Sequence, residues 1–259
     1  MNFQKSTCSP SESSFTVSTL YGNGIFTTIA VLDAKPVFWV NHWKRLIRDA
    51  ATLGVDLSAF SEKTVFGELT KEIAASGLSD GRARITFSDE RSGEIWPAES
   101  SRNTSMSILV GERRPIPAKF SITASPFRVN IESPLVGVKS CNYLENLLGI
   151  EEARSRGFHE ALRINHNGHL TGGCMSNVFW LKQGRLWTPH LDTGCLPGTT
   201  REYIIENLEC EETRQPMDTL GTADSIFMTS AGLGVVRVHD LDNRPFDHID
   251  HPILHVLKW

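Results

Sequence analysis

The sequence predicts an α+β protein whose two domains meet at a cleft. In the first half of the chain, apolar strand-like runs alternate with helical patterns, whereas short strand patterns dominate the second half. A stretch with two prolines at 111–118 separates the two patterns. We therefore assign residues 1–112 to a smaller α+β domain with a polar N-terminal tail, 113–121 to a linker, and 122–259 to a larger domain.

Turn and capping residues organise the first half. A Tyr-Gly-Asn-Gly turn signal at 21–24 precedes a long apolar run, and serine, asparagine and glycine residues bracket two amphipathic patterns. The predicted elements are a strand at 25–32, helices that begin after Asn41 and Ser61 and close at Gly54 and Gly77, and strands at 82–87 and 106–110.

The second half is richer in short strands. Its predicted elements are strands at 120–127, 161–164, 177–181, 185–188 and 225–229, a helix at 142–156, and a helix opened by Gly198-Thr199-Thr200. The last strand enters a glycine-containing turn at 230–234. We find no internal repeat, so a repeat architecture is excluded.

Composition limits the function. A net charge of −4 and a pI near 6.1 argue against nucleic-acid binding. No apolar run approaches the length of a membrane span, and the polar residues 1–14 do not resemble a secretory signal. The odd count and wide spacing of the cysteines favour reduced thiols that pack as small hydrophobes in a cytoplasmic protein. The five cysteines are Cys8, Cys141, Cys174, Cys195 and Cys210.

Lys139 is the most informative residue, because a helical stretch and then the segments 160–164, 171–180 and 196–201 follow it in the chain. A lysine amine condenses with an aldehyde, and partial burial lowers its pKa enough to free the nucleophile. Taken alone, a lysine is usually a solvated surface charge. The motifs around Lys139 give it a different interpretation.

Four segments together resemble the class IV enzymes that depend on pyridoxal 5′-phosphate (PLP), also called fold type IV. This family includes aminodeoxychorismate lyase, branched-chain aminotransferase and D-amino acid aminotransferase. The resemblance runs from about Tyr21 to Val238, and it is nearest to the lyase by length and by the residues at 21–28. The other three segments are His42-Trp43-Lys44-Arg45-Leu46, the run from Leu196 to Arg201, and the run from Ala223 to Ser230.

The resemblance implies a PLP site in the larger domain, at the cleft. Lys139 would form the Schiff base with the cofactor and act as the catalytic base. Arg45 would hold the phosphate, a role that suits a guanidinium because it forms two parallel hydrogen bonds. Tyr143 would face the 3′-oxygen of the cofactor, and Asn177 matches a residue well represented in the family strand.

A second phosphate anchor is implied at Gly198, Thr199 and Thr200. Glycine lets the backbone approach closely, and a helix N-terminus presents unpaired N–H groups with a partial positive charge. Backbone amides near Ser230 and Ala231 would complete the phosphate site. Relatives often have a hydroxyl at the position of Ala231, so one contact to the phosphate is expected to be missing here.

The sequence departs from the family pattern beside the cofactor ring. Gly172 occupies the position at which relatives have a glutamate that pairs with the pyridine nitrogen, and no carboxylate lies between Glu160 and Asp192. Without an acid there, the neutral ring is a poorer electron sink. Ala30 also replaces an arginine that is common in relatives. Possible substitutes for substrate carboxylate binding are Arg84, Arg163 and Arg201.

The sequence leaves three functional hypotheses open. The leading one is a lyase that converts 4-amino-4-deoxychorismate to 4-aminobenzoate and pyruvate, a step towards folate. A second is an aminotransferase acting on a branched-chain or D-amino acid, and a third is a degenerate member that binds PLP without useful catalysis. The family implies a homodimer and a small amino-acid-like substrate. Because His248, His251 and His255 do not match a closed zinc pattern, no metal is predicted.

Overall fold

A computed structural model describes residues 16–91 and 103–257. The polar tail predicted at 1–14, which contains Cys8, lies outside the described residues. The described chain forms two compact units, and the first changes to the second after Arg113. No helix among the described residues is long and apolar enough to cross a membrane.

The first unit is built on an antiparallel sheet of four strands in the order β2-β1-β3-β4. Strand β3 shows a strict alternation of buried and half-buried residues, as expected when only one face of a sheet packs on a core. The elements are α1 (Val17–Tyr21), β1 (Gly24–Leu32), β2 (Lys35–Pro36), α2 (Trp39–Leu53), α3 (Glu62–Ser76), β3 (Gly81–Asp89) and β4 (Thr104–Gly111).

Both long helices of this unit end as predicted, at glycines in the left-handed conformation. Helix α3 also begins as predicted, because Ser61 accepts a hydrogen bond from the Thr64 amide. The prediction that α2 begins after Asn41 is wrong by three residues, because the helix begins at Trp39. The chain reverses at Phe38 (φ 54°), whose carbonyl accepts from the His42 amide, so Asn41 lies inside the first turn.

The segment Val138–Tyr143 belongs to the first unit. This differs from the prediction that residues 122–259 form one continuous domain. The physical reason is backbone pairing with β1: the Phe26 amide donates to the Lys139 carbonyl (2.9 Å), and the Cys141 amide donates to the Gly24 carbonyl (2.8 Å). The segment therefore pairs with the first residues of β1 and does not join the sheets of the second unit.

The second unit contains two five-stranded sheets, in the orders β10-β9-β8-β11-β12 and β14-β13-β5-β6-β7. Their apolar faces form its main core, which includes the fully buried side chains of Leu162, Val178 and Met228. The strands are β5 (Ser121–Ala124), β6 (Glu160–Ile164), β7 (Leu170–Gly173), β8 (Asn177–Lys182), β9 (Arg185–Pro189), β10 (Cys210–Thr213), β11 (Ser225–Ser230), β12 (Gly234–Arg237), β13 (Asp240–Leu241) and β14 (Arg244–Pro245). The helices are α4 (Leu144–Ser155) and α5 (Thr199–Asn207), with 3₁₀ turns at Leu191–Thr193, Met217–Thr222 and Pro252–His255.

The strand predicted at 120–127 is shorter in the structure and ends at Ala124. Pro126 has no amide to continue the ladder, and the Ser125 hydroxyl accepts from the Phe127 amide (3.2 Å), which turns the chain. The helix predicted at 142–156 begins at Leu144 and the other predicted strands agree within two residues, so the predicted α+β class is confirmed.

Candidate active site

Helix α2 presents a buried polar stripe to strand β1. His42, Arg45 and Asp49 follow one another at intervals of three and four residues, which places them on one helix face. All three are at least nine-tenths buried. A guanidinium N–H of Arg45 donates to the hydroxyl oxygen of Thr27 on β1 at 2.7 Å, and His42 Nδ1 lies 2.6 Å from the same oxygen.

The backbone of Lys139 is held from two sides. Its carbonyl pairs with β1, and its amide donates to the buried carboxylate of Asp49 at 3.0 Å. The Nζ amine lies 3.4 Å from the Tyr143 hydroxyl and 4.5 Å from the centre of the Phe26 ring. The rings of Phe26 and Tyr143 meet edge to face. Of the predicted site residues, the first unit therefore brings Lys139 and Tyr143 into contact.

The electrostatics of this unit favour a reactive amine. Burial of the amine, followed by the positive charges of Arg45 and Arg84, lowers the pKa of Lys139 to about 7, while Asp49 opposes this effect. An unperturbed lysine has a pKa of about 10.4 and is almost entirely protonated at neutral pH. A large fraction of Lys139 is therefore a free amine at neutral pH, which both a nucleophile and a general base require.

We expect the reactivity of Lys139 to follow this pKa. The rate of covalent PLP attachment can be measured by visible absorbance between pH 5 and pH 9. This rate should increase with pH and reach half of its maximum near pH 7, because the free amine forms there. Arg84→Gln removes one positive charge, so the midpoint should move to higher pH. The control Arg185→Gln alters an arginine that is 70% exposed and lies in the second unit. A wild-type rate that does not level off by pH 9 would contradict this assignment.

The structure distinguishes the three arginines proposed from the sequence. Arg163 on β6 pairs with Glu145 at 2.5 Å, and Arg201 on α5 pairs with Glu212 and donates to the Pro189 carbonyl. Both guanidinium groups are therefore engaged with carboxylates of their own unit.

Arg84 on β3 has a different environment. It stacks 3.6 Å from the centre of the Phe26 ring and donates to Thr86, and no carboxylate pairs with it within the two ranges that the structure describes. Phe26 is also the ring beside the Lys139 amine. Arg84 is therefore the candidate best placed to bind an anionic substrate group near Lys139.

In the second unit, the predicted residues gather around Asn177 at the start of β8. Its side-chain amide donates to the Leu196 carbonyl (2.8 Å), which lies just before Gly198. A Cβ atom on Gly198 would overlap with Asn177 Oδ1, so only glycine allows this close approach. Asn177 also stands opposite Thr229, the residue before Ser230, in the β8–β11 ladder.

The N-terminus of α5 has the properties of an anion site. Gly198 is the N-cap residue and provides no side-chain cap, and Thr199 and Thr200 are buried. The hydroxyl oxygens of Thr200 and Thr229 are buried without a hydrogen-bond partner within the described chain. Buried hydroxyls normally find a partner, so these two fit a bound oxyanion such as a phosphate. The Ser230 hydroxyl accepts from the Leu233 amide (3.1 Å), and Ala231 contributes no side-chain donor.

The backbone at Gly172 differs from that of an ordinary strand residue. Its φ of 156° lies in a region that favours glycine, and a Cβ atom there would be 3.1 Å from the Ser176 carbonyl. The acid missing from this position is not replaced by Glu160, because that buried carboxylate already accepts four hydrogen bonds. They come from the amides of Ala161, Cys174 and Met175 and from the Ser176 hydroxyl.

The buried thiol of Cys174 and the histidines near the C-terminus take part in packing and hydrogen bonding. Burial raises the pKa of Cys174 to about 12, so this thiol is not a nucleophile at neutral pH. His248 lies 2.9 Å from Arg237, and His251 caps the 3₁₀ turn that follows it. In the described ranges, no group of three histidine, cysteine, aspartate or glutamate side chains lies close enough to hold a metal.

Sequence reasoning did not identify Thr27, His42, Asp49, Phe26 or Thr229 as site residues. The spacing of His42, Arg45 and Asp49 on one helix face was a usable signal, because three polar residues on the buried side of an amphipathic helix need partners. No local signal marked Phe26 or Thr229, since their importance depends on residues that are distant in the chain.

Comparison with known proteins shows related sequences and folds. The chain is 29% identical over 226 residues to the aminodeoxychorismate lyase of Bacillus subtilis, an alignment that covers 84% of this chain and 77% of the relative. The branched-chain amino acid aminotransferase of Escherichia coli superimposes with a TM-score of 0.85 at 22% identity, covering 96% of this chain and 87% of that one. The 4-amino-4-deoxychorismate lyase of Pseudomonas aeruginosa superimposes with a TM-score of 0.82 at 23% identity, covering 98% and 96%.

These two structural matches show the shared fold. The family model for amino-transferase class IV matches residues 24–241, most of the chain. This protein is therefore an enzyme of the class IV aminotransferase family.

Proposed function

We propose that the protein is a PLP-dependent lyase that converts 4-amino-4-deoxychorismate to 4-aminobenzoate and pyruvate. The observation that carries the proposal is Lys139, an amine with a pKa of about 7 that lies beside Tyr143 and is anchored by Asp49. PLP is the cofactor of this family. When bound, it supplies an aldehyde that captures an amine and a conjugated ring that accepts electrons.

In the second unit, the N-terminus of α5 at Gly198–Thr200 is the proposed phosphate site, and the buried hydroxyls of Thr200 and Thr229 support this role. In the first unit, Arg45 is the proposed phosphate ligand. Asn177 would keep the loop at Gly198 in place through the Leu196 carbonyl. The Tyr143 phenol would donate to the ring oxygen.

Lys139 would also move the proton. As a free amine, its Nζ would accept the proton from the substrate Cα and hold it as an ammonium. A pKa near the working pH suits this task, because the group must both accept and return the proton. The Tyr143 hydroxyl, 3.4 Å from Nζ, orients the amine in both states. Arg84 would bind a substrate carboxylate.

Gly172 favours the lyase over an aminotransferase. Transamination would depend strongly on the cofactor ring as an electron sink, whereas formation of an aromatic product would drive the lyase reaction. A site without an acid at Gly172, and with Glu160 fully engaged, therefore suits the reaction that depends less on the ring. The similarity to the B. subtilis lyase agrees with this choice.

An aminotransferase is the second candidate, since the family whose model matches residues 24–241 is named for this activity. Incubation of the PLP-loaded protein with aminodeoxychorismate should release 4-aminobenzoate, which is detected by its fluorescence. Parallel incubations with branched-chain or D-amino acids and 2-oxoglutarate should yield little glutamate. Glutamate without 4-aminobenzoate would support the aminotransferase instead, and neither product with bound PLP would indicate a degenerate member.

We also propose that the protein is a cytoplasmic homodimer. Three leucines on α4 support a subunit contact, since Leu144, Leu147 and Leu148 are 62%, 44% and 48% exposed. The free thiols among the described cysteines agree with a reducing compartment. Analytical ultracentrifugation tests the proposed homodimer, and a monomer at micromolar protein concentration would contradict it.

A further inference from the structure

A buried hydrogen-bonded chain links His42, Thr27 and Arg45 in the first unit. His42 and Arg45 lie one turn apart on α2, and Thr27 lies on the adjacent strand β1. Their exposed fractions are 0%, 0% and 7% for His42, Thr27 and Arg45. The two contacts to the threonine oxygen measure 2.6 Å and 2.7 Å, which is short for hydrogen bonds of this kind.

The direction of each hydrogen bond follows from the chemistry of the groups. A guanidinium has donors only, so the Thr27 oxygen accepts from Arg45. The threonine hydroxyl has a single proton, which is then free to be donated to His42 Nδ1. This requires a neutral imidazole with its own proton on Nε2. Burial, together with the nearby charges of Arg45 and Lys139, lowers the pKa of His42 well below its ordinary value, which keeps the ring neutral.

The chain therefore controls where the Thr27 lone pairs point. With His42 accepting the hydroxyl proton, the lone pairs face the Arg45 donor. Without that acceptor, nothing in this pair of contacts prevents the rotamer that points the hydroxyl proton at the guanidinium. An arginine side chain has several rotatable bonds, so an anchor on one of its nitrogens reduces the freedom that anion binding must otherwise remove.

We propose that His42 is a positioning residue that acts through Thr27 to orient Arg45 for binding the phosphate of PLP. The inference rests on the proposed function, in which Arg45 binds that phosphate. It adds a role for two residues that never touch the cofactor in the proposal. The histidine in the His-Trp-Lys-Arg segment then has a reason to stand three residues before the arginine.

Two ligands test this role directly. Pyridoxal has the same ring and aldehyde as PLP but lacks the phosphate. An altered pKa of Lys139 therefore affects both ligands, whereas the contact of Arg45 with the phosphate affects only PLP. Dissociation constants for both ligands would be measured by absorbance for the wild type, His42→Ala and His42→Asn, at one pH and ionic strength. Asparagine places an acceptor oxygen near the position of Nδ1, whereas alanine places none.

The expected result is a loss of selectivity. His42→Ala should weaken PLP binding about tenfold, the size of one hydrogen bond to a charged group, and leave pyridoxal binding within about twofold of the wild type. His42→Asn should keep most of the preference for PLP. Thr27→Val and Thr27→Ser form a second matched pair, since only serine retains the hydroxyl, and they serve if His42→Ala does not fold.

Three outcomes would overturn the proposal. Equal weakening of PLP and pyridoxal would show that His42 has only a structural role, and unchanged dissociation constants for both ligands in His42→Ala and Thr27→Val would show no effect on Arg45. If the wild type has no preference for PLP over pyridoxal, the proposed phosphate role of Arg45 fails and this inference fails with it. A melting curve for each variant separates loss of folding from loss of selectivity.

Discussion

Lys139→Ala is expected to abolish covalent attachment of PLP and to lower turnover by about 10³-fold or more, because the variant loses both the attachment point and the general base. The visible absorbance band of the bound cofactor should disappear. After borohydride treatment, mass spectrometry of the wild type should find the cofactor on Lys139 alone.

Lys44→Ala is the matched control for this experiment. Lys44 is exposed and lies beside Arg45 on α2, so its loss removes a nearby charge without altering the buried site. Its absorbance band and turnover should equal those of the wild type. Cofactor found on a different lysine, or a band that persists in Lys139→Ala, would contradict both enzyme hypotheses in their present form.

Gly198→Ala is expected to weaken PLP binding by up to about 100-fold, because the added methyl group overlaps with Asn177 Oδ1. The backbone of Gly198 (φ −71°, ψ 140°) is one that alanine also adopts, so the effect is steric and not conformational. Relief of the overlap requires Asn177 to move, which breaks its bond to the Leu196 carbonyl. Overpacking of this kind costs about 1–3 kcal/mol. If the loop relaxes in the free protein and must return to its original position to bind the phosphate, the upper value corresponds to the stated loss of affinity.

Gly67→Ala provides the control, since Gly67 lies in α3 and has no atom within 4 Å of an added Cβ. The melting temperature of Gly67→Ala should equal that of the wild type or rise slightly, because alanine favours a helix over glycine by about 1 kcal/mol. Calorimetry and PLP titration of both variants make the comparison. Wild-type affinity in Gly198→Ala would show that the loop before α5 does not hold the phosphate.

Local sequence patterns were sufficient for most of the fold. Ser61, Gly54 and Gly77 marked helix ends correctly, because caps depend on residues that are neighbours in the chain. The start of α2 was placed too late, because Asn41 is a good capping residue that the turn at Phe38 left unused. Assignment of 138–143 to the larger domain failed for a different reason, since pairing with β1 joins residues more than 100 positions apart.

The residues of the candidate site were also predicted only in part. Lys139, Arg45 and the Gly198–Thr200 segment were recognised as motifs of residues close together in the chain. Three arginines remained equivalent in the sequence, because nothing local distinguishes a guanidinium paired with a carboxylate from one stacked on a ring. Only the structure shows that Arg163 and Arg201 are paired with Glu145 and Glu212.

The sequence by itself determined the fold class, the family resemblance, the lysine at the centre of the chemistry and the absence of an acid at Gly172. These properties depend on residue identity and on short-range spacing. The tertiary structure alone decided the pKa of Lys139, the distinct position of Arg84 and the contact between Asn177 and Gly198. Each of these depends on which distant side chains become neighbours, because burial, charge and close contact act through space and not along the chain.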